Sequence, residues 1–282
     1  MIVKEQQINV NGLSTRYLQA GTDGLPLVLL HGTGESALDW SWVLPKLGEN
    51  YRVYAPDFPG SGDSAKPIRD YSLDFFTQFT FDFLDAIAVE RAVIGGNSLG
   101  GLIALRVALS RPEQITGLVL VDSTGLGEAA NPLLSSLTLP IYGEIAVNGC
   151  KTPIGAVMRS RSRAALQFAH PHQIPVEWYA EQERLAQTGG FLEATLSSLR
   201  AQLTPLGQHA VMLDDLPKLQ IPTLLVWGAN DLIFPKSQAE AAVKRLKQGQ
   251  LALVPDCGHI PPLERPEHFV SALHPFLAEI AA

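Results

Sequence analysis

Cysteine is scarce in this sequence of 282 residues, where Cys150 and Cys257 are the only two. Two cysteines are too few for a disulfide framework or for a cysteine-rich zinc site. The sequence also lacks H-E-x-x-H and any other pair of histidines in a metal-ligand context. We therefore expect no metal and no cofactor.

Positive charge and long hydrophobic runs are scarce as well. Lysine and arginine number 21 against 28 aspartates and glutamates, which gives a formal net charge of −7. Nucleic-acid-binding proteins usually carry a basic surface, so we expect no nucleic-acid partner. No apolar run approaches the roughly 18 residues that a membrane-spanning helix needs. The N-terminus also lacks the pattern of a signal peptide, and we expect a cytoplasmic protein without a membrane span.

The remaining composition is that of a chain with a sizeable core, since 46% of the residues are hydrophobic and 17% are charged. The turn pair Asn11-Gly12 predicts a hairpin near the N-terminus. After it, short apolar runs alternate with amphipathic stretches, which favours a mostly parallel sheet flanked by helices. The buried strands predicted in this way are residues 26–30, 52–55, 91–94, 117–121, 223–227 and 251–254.

The alternation breaks between residues 125 and 219, where the spacing of apolar residues is helical. Pro140 interrupts the first of these helical patterns, and no segment here has the pattern of a sheet strand. We predict a helical cap at residues 126–219, inserted into a core domain formed by residues 1–125 and 220–282. Its apolar face is expected to roof a pocket, although ordinary packing against the core explains many of the same residues.

A glycine-flanked serine lies between a predicted strand and a predicted helix, in the segment Gly96-Asn97-Ser98-Leu99-Gly100-Gly101. A serine on such a sharp turn has a strained backbone, and side chains two residues to either side would collide with the turn. Gly96 and Gly100 remove those side chains, so the Ser98 hydroxyl can stand clear of the sheet. The N-terminus of the following helix offers unpaired N–H groups to a developing oxyanion.

With this serine turn the sequence resembles the α/β-hydrolase superfamily over nearly the whole chain outside the predicted cap. The resemblance implies an eight-stranded, mostly parallel sheet flanked by helices, with a helical cap insertion. Further segments that carry it are His31-Gly32-Thr33-Gly34, Asp57-Phe58-Pro59-Gly60-Ser61-Gly62-Asp63-Ser64, Gly228-Ala229-Asn230-Asp231 and Asp256-Cys257-Gly258-His259.

The order of Ser98, Asp231 and His259 along the chain is the order of the catalytic triad in that superfamily. The resemblance implies that Ser98 is the nucleophile, that His259 takes its proton, and that Asp231 orients the imidazole. The backbone N–H groups of Thr33 and Leu99 are then expected to bind the oxyanion. Asp122, which follows the strand at 117–121, is the alternative candidate for the acid.

Four further residues are candidates for the wall of the substrate pocket, namely Gly32, Asn97, Trp40 and Ile260. For Trp40, ordinary core packing is an equally good interpretation. His31 is expected to stabilise its turn rather than to take part in catalysis.

The segment His31-Gly32-Thr33-Gly34 resembles the oxyanion loop of that superfamily. A serine nucleophile with such a loop favours acyl transfer to water. The leading hypothesis is hydrolysis of a small, largely apolar carboxylic ester. An alternative is cleavage of carbon–carbon bonds in keto-dienoic acids, because the serine turn with Asn97 is similar to that of the meta-cleavage-product hydrolases. Those enzymes need a cation in the cap, for which the candidates are Arg159, Arg161, Arg163 and Arg184.

A third hypothesis is a ligand receptor that keeps the hydrolase fold, since fold alone does not establish function. For either enzymatic hypothesis the expected partner is a small-molecule ester or keto-acid substrate. The oligomeric state does not follow from the sequence.

Overall fold

The fold is built on a single eight-stranded sheet, seen in a computed structural model whose described part is residues 2–281. The strands follow one another across the sheet in the order β1-β2-β4-β3-β5-β6-β9-β10. Their bounds are Lys4–Val10 (β1), Leu13–Ala20 (β2), Pro26–Leu30 (β3), Arg52–Pro56 (β4), Ala92–Asn97 (β5), Ile115–Val121 (β6), Thr223–Gly228 (β9) and Gly249–Val254 (β10).

The first two strands form the predicted hairpin, and β2 pairs antiparallel with β4. All other pairings in the sheet are parallel. Asn11 and Gly12 both have positive φ, 48° and 88°, which is the backbone of a tight hairpin turn. The predicted fold class, an eight-stranded and mostly parallel sheet, is confirmed.

Helices cover both faces of the sheet. On one face α2 (Leu73–Ala86), α3 (Leu99–Ser110) and α9 (Ser237–Val243) contribute to a buried cluster that also contains Val28 and Leu30 of β3. On the other face α1 (Leu44–Leu47) and α11 (Pro266–Ala281) contribute to a second buried cluster, which contains Leu27 and Leu29, the alternate residues of the same strand. Because both faces are buried, the central strands are continuous apolar runs, as the sequence predicts.

The segment between β6 and β9 contains five α-helices, and the chain returns to the eight-stranded sheet at β9. They are α4 (Pro132–Ser136), α5 (Tyr142–Cys150), α6 (Pro153–Gln167), α7 (Val176–Ala186) and α8 (Phe191–Arg200). It also contains a hairpin of two-residue strands, β7 (Leu203–Thr204) and β8 (Gly207–Gln208), which the sequence does not predict. We propose that residues 126–219 form a cap.

The serine turn joins β5 to α3 in a strained conformation. Ser98 has φ 54° and ψ −118°, and α3 begins at the next residue, Leu99. The chain passes so tightly that a Cβ atom on Gly96 would lie 2.2 Å from the carbonyl carbon of Gly100. Only a glycine fits at position 96 without moving the helix away from the strand.

We expect the substitution Gly96→Ala to lower the free energy of unfolding by about 2–3 kcal/mol, because the added methyl group overlaps backbone rather than a movable side chain. Urea unfolding followed by circular dichroism measures the loss. Gly149→Ala is the matched control, since a Cβ there meets no atom within 4 Å. Equal stability of the two variants would contradict the close packing at the turn.

Candidate active site

A histidine and an aspartate meet at the carboxyl ends of β9 and β10. Asp231 Oδ2 lies 2.9 Å from His259 Nδ1, and both side chains are buried. The other carboxylate oxygen of Asp231 accepts a 2.7 Å hydrogen bond from the backbone N–H of Ile233. The carboxylate therefore fixes the ring with Nδ1 as the donor, which leaves Nε2 as the nitrogen that can accept a proton.

The loop that carries His259 is held from two sides. The backbone N–H of His259 donates a 2.6 Å hydrogen bond to the carbonyl of Gln167 in α6. Its carbonyl accepts a 2.8 Å bond from the Asn97 side-chain amide, which also donates to the carbonyl of Val121 at 3.2 Å. Asn97 therefore ties the serine turn, the end of β6 and the histidine loop together.

Ser98 and His259 line the same cavity, whose volume is about 790 Å³. Within residues 2–281, no hydrogen bond joins the Ser98 hydroxyl to the imidazole.

The two residues expected to bind an oxyanion lie on different elements. Leu99 is the first residue of α3, where backbone N–H groups have no partner inside the helix. Thr33 lies in the loop after β3, where its carbonyl accepts a 3.1 Å bond from Arg163. Its hydroxyl accepts a 2.7 Å bond from the Gln202 amide. Hydrogen bonds therefore hold both the backbone and the side chain of Thr33.

His31 stabilises the same loop, as expected. Its Nδ1 lies 2.8 Å from the carbonyl of Gly32, and its Nε2 accepts a 2.9 Å bond from the backbone N–H of Phe58. Burial lowers the pKa of the His31 imidazole, so the neutral form fits these two bonds.

The cavity wall is largely apolar. Of the residues predicted to line it, Gly32 and Asn97 do so. Trp40 and Ile260 do not, and that expectation is corrected. Trp40 packs against Phe269 in the core, and Ile260 belongs to a separate buried cluster with Phe168 and Trp178. The larger apolar side chains of the wall are Leu133, Leu134, Leu137, Val147, Met158, Leu166, Leu192, Leu196, Leu199, Leu203, Ile233 and Phe234.

A buried polar cluster, which sequence reasoning missed, joins the loop after β3 to α6 and α7. Glu35 forms an ion pair with Arg163 and accepts hydrogen bonds from the side-chain amides of Gln167, at 2.8 Å, and Gln182, at 2.5 Å. In the sequence, the one sign of this cluster is Glu35 itself, an acidic residue two positions after Thr33.

Arg159 lines the cavity beside this cluster. It donates to Gln182 Oε1 at 2.8 Å and to the carbonyl of Gly34 at 3.3 Å, but within the described residues it forms no salt bridge. Burial, together with the charge of Arg163, lowers the pKa of its guanidinium to about 9, so it remains a cation at neutral pH. Arg161 stacks over Tyr179, and Arg184 pairs with Asp63 and Glu181, so neither offers the cavity a free cation.

The rival candidate for the acid, Asp122, lies beside the Asp231–His259 pair. Ligand-type atoms of Asp122, Asp231 and His259 all lie within 4.8 Å of one another. Of the two carboxylates, Asp231 makes the contact with the imidazole.

The sequence of this chain matches the model of the alpha/beta hydrolase family over residues 27–273. The chain belongs to this family. No helix in the described part of the chain has both the length and the apolar character to cross a membrane.

Relatives in the family carry different names. The chain is 30% identical to a 2-hydroxy-6-oxo-6-(2'-aminophenyl)hexa-2,4-dienoic acid hydrolase of Metapseudomonas resinovorans, over 98% of this chain and 92% of that protein. It is also 30% identical to a pimeloyl-[acyl-carrier protein] methyl ester esterase of Nitrosomonas europaea, over 92% of this chain and 98% of that protein. These names support a hydrolase activity for the chain.

A solved structure of a membrane phospholipase A, described as a bacterial virulence factor, is also similar. It superposes with a TM-score of 0.81 at 28% identity, over 99% of this chain and 86% of that chain.

We expect Glu35→Gln to lower the free energy of unfolding by about 3 kcal/mol, because it leaves the largely buried Arg163 without its counter-charge. Urea unfolding measures the change. Asp63→Asn is the control, since it breaks an ion pair that is about half exposed, with side-chain exposures of 44% and 46%, and should cost less than about 1 kcal/mol. A loss no larger than that of the control would show that the Glu35 cluster does not stabilise the fold.

Proposed function

We propose that this protein is a serine hydrolase that cleaves a small, largely apolar carboxylic ester through an acyl-enzyme. The observation that carries the proposal is the cavity, in which an apolar wall surrounds Ser98 and His259. Its volume of about 790 Å³ lies within the range of roughly 300–1,000 Å³ that is usual for small-molecule sites.

In the proposed mechanism the Ser98 hydroxyl attacks the ester carbonyl while His259 Nε2 takes its proton. Asp231 holds the imidazole in the required tautomer and stabilises the imidazolium through the 2.9 Å contact with Nδ1. The backbone N–H groups of Thr33 and Leu99 receive the oxyanion, an effect worth about 10²–10³ in rate for each donor.

The imidazolium then returns its proton to the leaving alcohol, and an acyl group remains on Ser98. Water then attacks the carbonyl carbon of the acyl group while His259 Nε2 takes its proton. The bond from this carbon to Ser98 Oγ breaks, the imidazolium returns the proton to Ser98, and the carboxylic acid is released.

The helices above the sheet supply most of the apolar wall, including Leu134, Val147 and Leu196 from α4, α5 and α8. We assign the acyl chain to this part of the cavity, because burying apolar surface stabilises binding by about 25 cal/mol per Å². The proposed cap thereby sets the length of acyl chain that fits.

A second candidate, hydrolysis of a carbon–carbon bond in a keto-dienoic acid, is favoured by Arg159. A desolvated guanidinium without an acidic partner is suited to a substrate carboxylate. A relative named as a hydrolase of such an acid is 30% identical to this chain.

We expect Ser98→Ala to lower kcat/KM for p-nitrophenyl butyrate by at least about 10³-fold, because the nucleophile is removed. Ser162→Ala is the matched control, since Ser162 also lines the cavity and should retain most of the activity. Initial rates of p-nitrophenolate release measure both variants. Comparable rates for Ser98→Ala and wild type would reject the proposed nucleophile.

Arg159→Met separates the two candidate functions. If the substrate is a neutral ester, kcat/KM should change by less than about threefold. If it is a keto-dienoate, losing a charge-assisted hydrogen bond worth about 1.5–3 kcal/mol should lower kcat/KM by about 10–150-fold. Arg161→Met is the control, and turnover of a 2-hydroxy-6-oxo-dienoate above the ester rate would favour carbon–carbon bond cleavage.

A further inference from the structure

Gln202 is a buried residue of the cavity wall whose side-chain amide is hydrogen-bonded at both of its polar atoms. Its Oε1 accepts a 3.0 Å bond from the hydroxyl of Thr124. Its Nε2 donates to the carbonyl of Ser198 at 2.9 Å and to the hydroxyl of Thr33 at 2.7 Å. The amide nitrogen thus uses both of its N–H groups.

The carbonyl of Ser198 fixes which way round the Gln202 amide lies. A carbonyl oxygen accepts hydrogen bonds and cannot donate them, so the group of the amide that faces it is the NH₂ group. In the flipped orientation the side-chain oxygen of Gln202 would lie against the oxygen of Ser198. The hydroxyl of Thr33 therefore accepts a hydrogen bond from Gln202 and does not donate one to it.

The Thr33 hydroxyl keeps its own hydrogen for another partner, because a hydroxyl donates one hydrogen bond besides those that it accepts. Within residues 2–281 no acceptor takes this hydrogen, and Thr33 is half-buried in the cavity wall. The other threonine of the wall, Thr195, differs, since its hydroxyl donates to the carbonyl of Phe191 at 2.8 Å. Of these two hydroxyls, that of Thr33 can donate to a bound molecule.

The loop that carries Thr33 lies against the serine turn. A Cβ atom on Gly32 would lie 3.3 Å from the Cβ atom of Ser98, so the loop backbone and the proposed nucleophile are close neighbours. The turn is also tied to Gln202, because the backbone N–H of Thr124 donates to the Ser98 carbonyl at 3.2 Å. Hydrogen bonds through Gln202 thus connect the Thr33 hydroxyl with the turn that carries Ser98.

We propose that Gln202 is a positioning residue that directs the Thr33 hydroxyl to the carbonyl oxygen of the substrate, as a third donor to the oxyanion. The inference rests on the proposed function, in which the other two donors are the backbone N–H groups of Thr33 and Leu99. The added hydrogen bond strengthens as negative charge develops on that oxygen, so it stabilises the transition state more than the bound ester. Because it accepts from the amide, the hydroxyl is polarised and becomes a better donor.

A purely structural role is the competing explanation, in which Gln202 only fastens the loop after β3 to the proposed cap. A structural contact would affect the stability of the protein and the shape of the cavity. A donor to the oxyanion acts on kcat and on the binding of tetrahedral adducts, and these are the quantities to measure.

The first test compares Thr33→Val, which keeps the shape and the backbone N–H of this position, with Thr33→Ser, which keeps the donor. With p-nitrophenyl butyrate we expect Thr33→Val to lower kcat by about 10²-fold while KM changes by less than about threefold, because one oxyanion donor is worth about 10²–10³ in rate. Thr33→Ser should stay within about tenfold of wild type. A kcat of Thr33→Val within about threefold of wild type would overturn the proposal.

Thr138→Val is the matched control for the loss of a buried threonine hydroxyl. Thr138 lies in the proposed cap, and its hydroxyl donates to the carbonyl of Ser135 at 2.7 Å. It does not line the cavity. We expect its kcat to stay within about threefold of wild type.

A double-mutant cycle with Gln202→Met assigns the effect to the amide. Methionine is about as long as glutamine but cannot donate to Thr33. We expect Gln202→Met alone to lower kcat by about tenfold, and to have no further effect in a protein that already carries Thr33→Val, since the amide acts through the hydroxyl. If the two losses multiply instead, Gln202 has a structural role and the proposal is rejected.

Inhibition by trifluoromethyl propyl ketone adds a readout that a structural role would not move. The Ser98 hydroxyl adds to this activated carbonyl and produces a tetrahedral oxyanion, whereas methyl propyl ketone binds with its carbonyl intact. We expect Thr33→Val to raise the inhibition constant of the fluorinated ketone by about 10²-fold and that of methyl propyl ketone by less than about threefold. Equal weakening of both would overturn the proposal. Wild-type turnover that does not depend on Ser98 would reject the proposed function itself, so the two failures are distinguishable.

Discussion

The structure depends on the parallel arrangement of the central strands, because it brings four strand ends to one edge of the sheet. The serine turn follows β5, Asp122 follows β6, Asp231 lies beyond β9 and His259 lies beyond β10. These residues are well separated in the sequence, and it is the sheet that brings them together. The Asn97 amide, which bonds the carbonyls of Val121 and His259, then fixes the separation of the first, second and fourth of these ends.

A second constraint acts from above the sheet. The loop after β3, which we propose contributes to the oxyanion site, is held by side chains of the helices above it. Arg163 donates to the carbonyl of Thr33, and Glu35 binds side chains of α6 and α7. The histidine loop is held by α6 as well, through the carbonyl of Gln167. A displacement of α6 would therefore disturb both the proposed site for the oxyanion and the position of the imidazole.

Much of the fold could be predicted from the sequence, because buried parallel strands appear in it as apolar runs that are too short to be helices. The hairpin at Asn11-Gly12 and the strands up to β6, with β9 and β10, lie within a few residues of their predicted bounds. The hairpin of β7 and β8 was missed because two-residue strands are too short to show a period. The approach of Asp231 to His259 agrees with the resemblance, since both follow strands that the pattern places in the sheet.

The rest of the site could not be predicted, since it depends on which side of an element a residue faces. Trp40 follows the oxyanion loop in sequence, yet its side chain packs into the core against α11. Glu35 lies in a loop, and only the packing of α6 and α7 against that loop shows that its carboxylate binds their side chains. Four cap arginines were indistinguishable in sequence, and only packing shows that Arg159 reaches the cavity without an acidic partner.

The proposed acyl-enzyme on Ser98 can be trapped and identified directly. The protein would be mixed with excess p-nitrophenyl butyrate, quenched in acid within milliseconds and analysed by intact-mass and peptide mass spectrometry. We expect a mass increase of one butyryl group on the peptide that contains Ser98. A butyryl adduct elsewhere, for example on Cys150 in the cavity wall, with none on Ser98 during steady turnover, would contradict it.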